Sequence, residues 1–111
     1  MANYTYKTLG QLFPADTSEH ALYTVPAATQ TVTSSLMVCN QYGTPQSFSV
    51  AVKPGGGALA AQNYIYYNII VPPNNSLDLS NALTLAAGDV VSVICGAAST
   101  LSFSLFGTEY A

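Results

Sequence analysis

From Ala21 onward the chain is cut into short runs rich in β-branched and aromatic residues, separated by clusters of turn-forming residues, and this punctuation constrains the fold more than any other feature. The runs are ALYTV (21–25), TVTSSLMVC (31–39), SFSVAVK (47–53), NYIYYNIIV (63–71), SLDLS (76–80), VVSVIC (90–95) and LSFSLFG (101–107). Between them stand QYGTPQ, KPGGGA, PPNNS, AAGD and CGAAS, which supply the Gly, Pro, Asn and Asp that tight turns need for their backbone angles. No segment competes as a helix. A chain of 111 residues built this way is expected to be all-β, a single sandwich or jelly roll of about seven or eight antiparallel strands. Alternation alone does not choose between immunoglobulin-like and jelly-roll strand orders.

The alternation also assigns faces. Phe48, Val50 and Val52 are expected on one side of their strand with Ser47, Ser49 and Ala51 on the other. Leu101, Phe103 and Leu105 oppose Ser102 and Ser104, Val32, Leu36 and Val38 face the core, and Leu77 and Leu79 flank an outward Asp78. Tyr64, Ile65, Tyr66 and Tyr67 break the pattern, because consecutive bulky residues load both faces of one strand. The outward tyrosines among them are candidate partner contacts, with coverage by the chain's own N-terminal segment as the alternative.

Residues 1–19 show no sustained period of either kind and read as an extended N-terminal arm ahead of a sandwich domain over 20–111. Tyr4, Tyr6, Leu9, Leu12 and Phe13 in this arm need burial, either against a neighbouring subunit or on their own domain.

Composition bears on what such a domain can do. Half the residues are hydrophobic and 6% are charged, against roughly 25% in an average soluble domain. A surface so poor in charge suits a protein bound to neighbours. The net charge of −3 and the absence of Arg leave little to neutralise phosphates, so no nucleic-acid partner is expected. Apolar stretches such as 64–73 are strand-sized, far below the length of a spanning helix, and no membrane partner is expected. The opening MANYTYKTLGQLFPAD lacks a basic segment followed by an apolar run, so no secretory signal is expected, and the NYT and NNS tripeptides read as accidental glycosylation matches. Cys39 and Cys95 then read as free thiols, with an inter-sheet bridge as the oxidising alternative.

Catalysis finds little to work with. The single histidine, His20, precedes the first strand beside Glu19, and neither cysteine is in a run that offers it as a partner. Asp78 alternates outward and Asp89 belongs to a turn, so they do not read as paired carboxylates. The segment Lys53–Gly57 lacks the spacing of a phosphate loop, and no cluster has metal-ligand spacing. No catalytic residue, cofactor, metal or small-molecule substrate is expected.

The stretch LTLAAGDVVSVICGAASTLSFSLFGTEYA (83–111) resembles the closing part of phage structural domains, and LYTVPA (22–27), SFSVAVKPGGGALA (47–60) and NYIYYN (63–68) look like small β-sandwich proteins of tailed-phage virions. The resemblance spans roughly residues 20–109. It implies a virion protein assembled in the host cytoplasm, most specifically a capsid cement or decoration protein that binds the major capsid protein across capsomer junctions, with cyanophages as one candidate source. A tail, neck or fibre component, including a glycan- or receptor-binding domain, is the alternative it leaves open. Separately, Leu83, Leu85, Gly88, Asp89, Val91, Val93 and the run Ser102–Gly107 are similar to the last strands of tumour-necrosis-factor-like trimeric jelly rolls. That likeness favours a homotrimer and implies that Tyr64, Tyr66 or Tyr67, with Phe106, pack at the subunit contact.

Overall fold

A computed structural model describes residues 3–80 and 82–111. Among the described residues, nine strands form two antiparallel sheets: β1 (Tyr4–Leu12), β2 (His20–Thr24), β3 (Gln30–Asn40), β4 (Gln46–Lys53), β5 (Tyr64–Val71), β6 (Ser76–Leu79), β7 (Thr84–Leu85), β8 (Val90–Cys95) and β9 (Leu101–Tyr110). One sheet runs β1-β9-β3-β6, with β7 also on β3, and the other runs β2-β8-β4-β5. The pairs β4–β5, β3–β6/β7, β2–β8 and β1–β9 nest inside one another, as in a long hairpin rolled up into two layers. This strand order is that of a jelly roll, one of the two orders left open by the sequence. Helical structure among the described residues amounts to single 3₁₀ turns at Pro54–Gly56 and Ala61–Asn63.

The core lies between the sheets. Phe48, Val50, Val91, Val93 and Cys95 from one sheet meet Leu36, Val38, Leu101, Phe103 and Leu105 from the other. Phe48 and Phe103 touch edge to face across the gap at 5.9 Å between centroids, a favoured geometry for aromatic quadrupoles. Leu101, Phe103 and Leu105 point inward and Leu77 and Leu79 pack against the core, as their alternation requires. Strand β4 departs from expectation: Ser49 and Ala51 are buried along with Phe48 and Val50, so both faces of its middle are covered. Ser49 stays satisfied because its hydroxyl oxygen accepts the Asn68 N–H at 3.0 Å.

Two further expectations fail for a shared reason. Tyr4–Leu12 is not a free arm; it is a strand paired to β9 from Tyr4↔Tyr110 to Leu12↔Phe103. Residues 1 and 2 of the expected arm lie outside the described residues. Val32, expected inside, is 47% exposed, while Thr31 and Thr33 are buried. Both follow from bulges. On β1, Leu9 has no partner between Thr8↔Phe106 and Gly10↔Leu105, and on β3, Ser34 has none between Thr33↔Gly107 and Ser35↔Phe106. An unpaired residue reverses the inward and outward parity beyond it. On β3, Leu36, Val38 and Asn40 point inward on one side of the bulge, and Thr31 and Thr33 do so on the other.

Both bulges lie close to Gly107 of β9: the one on β3 falls between Gly107 and Phe106, and the one on β1 between Phe106 and Leu105. A Cβ on Gly107 would sit 2.5 Å from the Val32 carbonyl oxygen, 2.9 Å from Thr33 Cα and 3.0 Å from Leu9 Cδ1. The strands kink inward over the space a side chain would fill.

Polar groups join the sheets at both ends of β3. At one end buried Asn40 donates from Nδ2 to the carbonyls of Thr44 (2.9 Å), Val71 (3.1 Å) and Pro72 (3.2 Å), and its Oδ1 accepts the Tyr42 N–H at 2.9 Å. At the other end Tyr23 of β2 hydrogen-bonds Thr31 of β3 at 2.8 Å and donates to Glu109 of β9 at 2.5 Å, while Lys7 of β1 pairs with Glu109 at 3.0 Å.

Gly107→Ala is expected to destabilise the fold by about 3 kcal/mol, because two of the three close atoms are backbone and cannot turn away. Asn40→Leu is expected to cost about 2–4 kcal/mol by stripping buried carbonyls of their donor. Urea titrations of both variants at neutral pH check these values.

Candidate interaction surface

The parity change on β1 and β3 has a surface counterpart. Tyr4 and Tyr6 of β1, Gln30 and Val32 of β3, and Thr108 and Tyr110 of β9 share the outward side of the sheet, and together they line a groove of about 580 Å³. Tyr4 is 69% exposed, Tyr6 81% and Tyr110 38%. The Tyr4 and Tyr110 rings lean on each other at 4.6 Å. A second groove of about 330 Å³ shares Gln30 and Tyr110 and continues past Ala28, Thr29, Ala86, Ala87 and Ala111. The lining residues of both grooves are uncharged. Aromatic rings exposed together on a rigid sheet are the composition of a protein contact surface.

Charge is withdrawn from the rest of the molecule as well. Lys7 is paired with Glu109 and Lys53 with Glu19, the latter at 2.6 Å, so both ammonium groups are engaged. Asp89 accepts the Gly55 and Ala86 N–H groups at 2.9 Å each, fixing the turn before β8 against the 54–56 turn, and Asp78 accepts from the Ser80 hydroxyl. The Lys53–Gly57 segment is therefore a connection held by a carboxylate. Glu109 sits below the usual carboxylate range, chiefly because the Tyr23 hydroxyl donates to it and secondarily because Lys7 does. Burial, followed by the nearby Glu109, pushes the Tyr23 phenol up to about 12.

The expected contact residues do not all gather in one place. Tyr4 and Tyr6 join the groove. Phe106 lies on the same outer face farther along, opposite Thr8 and Ser35. Leu9 and Leu12 turn inward and pack on the core, and Phe13 is exposed beyond the end of β1. On the other sheet Tyr66 packs against the core, while Tyr67 is exposed and meets Tyr64 edge to face at 5.0 Å. A bulge at Asn68, whose φ is +51°, and a second register shift nearby separate these tyrosines from a simple alternation. Val32 and Tyr110 also line the groove, and the sequence assigns neither to a contact surface. Val32 reads as a core residue until the bulge is known, and Tyr110 lies past the end of the expected last strand.

Near the start of β2, His20, Asp16 and Ser18 meet, but without the order a nucleophile needs. The Ser18 hydroxyl donates to Asp16 at 2.6 Å, and His20 Nε2 contacts the same Asp16 oxygen at 2.7 Å. The serine proton is directed at the carboxylate, the Ser18 oxygen lies 3.5 Å from His20 Nε2, and Asp16 and Ser18 are exposed while His20 is partly buried. These bonds, Ser18 first and then His20, lower Asp16 to about 2. Cys95 is buried and its thiol is pushed up to about 11 by desolvation, while Cys39 lies on the outward-facing parity of β3; both are free. No group of three or more His, Cys, Asp or Glu residues among the described residues could hold a metal ion. No helix among them is long and apolar enough to cross a membrane.

Tyr23 gives the interior a pH dependence. Its folded pKa lies above the unfolded value of about 10, so its contribution to stability is complete below pH 10 and is lost as pH rises toward 12. Urea titrations across that range are expected to show a falling unfolding free energy that Tyr23→Phe flattens.

No family model matches the sequence, and no curated protein matches it. Among solved structures, the chain is similar to one from the acid-stable capsid of Helicobacter pylori bacteriophage KHP30, with a TM-score of 0.52 and 13% identity, covering 100% of this chain and 94% of that one. It is also similar to a pentameric capsid protein from metagenomic phage sequences, with a TM-score of 0.40 and 16% identity over 95% of this chain and 63% of that one. A chain of infectious bursal disease virus, Gx strain, follows with a TM-score of 0.46 and 8% identity over 99% of this chain. The present chain spans 32% of that protein's chain. At 13% identity, the first of these likenesses shows a shared fold.

Proposed function

We propose that this chain is a structural protein of a phage virion, and specifically a capsid cement or decoration protein that binds the major capsid protein across capsomer junctions. The observation that carries this reading is the uncharged aromatic groove of Tyr4, Tyr6, Val32 and Tyr110 on the outer face of a rigid sheet. The jelly roll it shares over its whole length with a chain of a phage capsid supports the same reading. The mechanism is added buried area. Apolar burial stabilises by about 25 cal/mol per Å², and a modest contact repeated over a shell reinforces it even after each copy's ordering cost is met. Because both lysines are engaged within the chain, attachment draws little on long-range charge and resists salt.

A tail, neck or fibre role with glycan recognition is the second reading. It is favoured by the exposed Tyr67 ring, backed by Tyr64 on the opposite sheet, since sugars stack on such rings.

Cryo-electron microscopy of purified particles, with the copy number measured against the major shell protein, tests the proposal. Icosahedral density in a simple ratio, with the outer face of β1, β9 and β3 against the shell, is the expected result. Density confined to the tail favours the second reading, and absence from particles overturns both. Replacing Tyr4 and Tyr6 together by Ser is expected to weaken attachment by about 2 kcal/mol or more for each ring that anchors. The melting temperature of the isolated chain should barely change, because both rings are exposed.

A further inference from the structure

Sheet edges are where a β-protein is most exposed to pairing with another chain, and natural edges are blunted by short strands, bulges or charge. Three of the four edges here are blunted. Strand β2 has five residues and a register shift between Ala21 and Tyr23. Strand β5 has two register shifts and a positive φ at Asn68. The third blunted edge is made of β6 and β7, which have four and two residues. The first five residues of β1, Tyr4 to Thr8, lie before its bulge, are all exposed and pair only with β9 among the described strands.

The direction of the unused groups on this edge follows from the ladder. Asn3 and Ala111 exchange two hydrogen bonds, at 2.6 and 3.1 Å. In an antiparallel pair the doubly bonded residues alternate, so Thr5 and Lys7 also bond to β9. Tyr4, Tyr6 and Thr8 then turn their N–H and C=O groups to the free side. The only charge in the segment, Lys7, is held by Glu109.

We infer that this edge is a homodimer contact, in which β1 pairs antiparallel with β1 of a second copy about a two-fold axis at Tyr6. The register is self-complementary: Tyr6 meets Tyr6 of the second copy, and Tyr4 meets its Thr8 on either side. All edge-facing groups of Tyr4, Tyr6 and Thr8 are then used. No like charges are brought together, and the two aromatic grooves become one continuous face. Closed two-fold pairing of this kind ends the growth of the sheet, which an unblunted edge otherwise invites. The inference concerns the isolated chain and stands or falls separately from a virion role.

Analytical ultracentrifugation of the wild-type chain and of two single variants, Tyr6→Lys and Tyr6→Glu, tests it. The wild type is expected to be dimeric. Each variant places like charges face to face across the axis and is expected to dimerise at least about tenfold more weakly at low salt. Mixing the two variants restores dimers, because Lys then faces Glu. Tyr6 is 81% exposed, so both variants should fold, which their melting curves check. Hydrogen exchange on the unmodified chain gives a second readout: the Tyr6 amide becomes protected as concentration rises, whereas the Lys7 amide, bonded to β9, is protected throughout. A monomeric or trimeric wild type, variants that dimerise like the wild type, a mixture that does not recover, or a Tyr6 amide that exchanges alike at all concentrations would each overturn the inference.

Discussion

The contact on which the rest of this structure turns is the crowding around Gly107. Strand β9 is continuous and keeps its alternation along its length, but both of its neighbours break step within two residues of that glycine, and the Leu9 side chain and the Val32 carbonyl occupy the space a Cβ would need. On one side of the break, Leu36, Val38, Leu101, Phe103 and Leu105 build an ordinary apolar interior. On the other side the same strands turn threonines inward and aromatic residues outward. The interior there sets the polar group of Tyr23, Thr31 and Glu109 beside buried Val25 and Leu85. Hydrophobic side chains such as Val32, which an unbroken alternation would turn inward, are presented to the outside.

That arrangement explains which parts of the molecule were legible from the sequence. The all-β class, seven of the nine strands and the inward faces of β6 and β9 follow from alternation and turn chemistry, which are local. The jelly-roll order is not local and emerges only from the nested pairing. Val32 illustrates the limit well: TVTSSLMVC reads as one uninterrupted strand, and nothing within it marks Ser34 as the residue without a partner. The bulge is set by β9 next door. For the same reason Tyr4 and Tyr6 could be recognised as residues in need of a partner, but not placed beside Val32 and Tyr110. Strand β1 was missed because, at an edge with a bulge, it has no consistent wet and dry side.

Scarcity of charge takes on a more definite meaning in the structure. Most of the few ionic groups are engaged within the chain: two ion pairs hold both lysines, and Asp89 fixes a turn by accepting backbone N–H groups. Two polar side chains that enter the interior are tied across it, Asn40 at one end of β3 and Tyr23 at the other. The sandwich is thus pinned across its gap at both ends and filled with apolar side chains between them, a stiff frame on which an exposed face keeps its shape.

The nested pairing also sets an order of assembly. Closing β4 on β5 spans a short loop, and each further layer joins residues farther apart, ending with β1 on β9, where Tyr4 meets Tyr110. Long-range closures carry the larger entropic cost and tend to come late. The groove draws its residues from β1, β3 and β9, so it is complete only once that last layer is in place. A chain in which β1 has not yet paired with β9 lacks the Tyr4 and Tyr6 rings of that groove, so the proposed contact surface is among the last parts of the molecule to be completed.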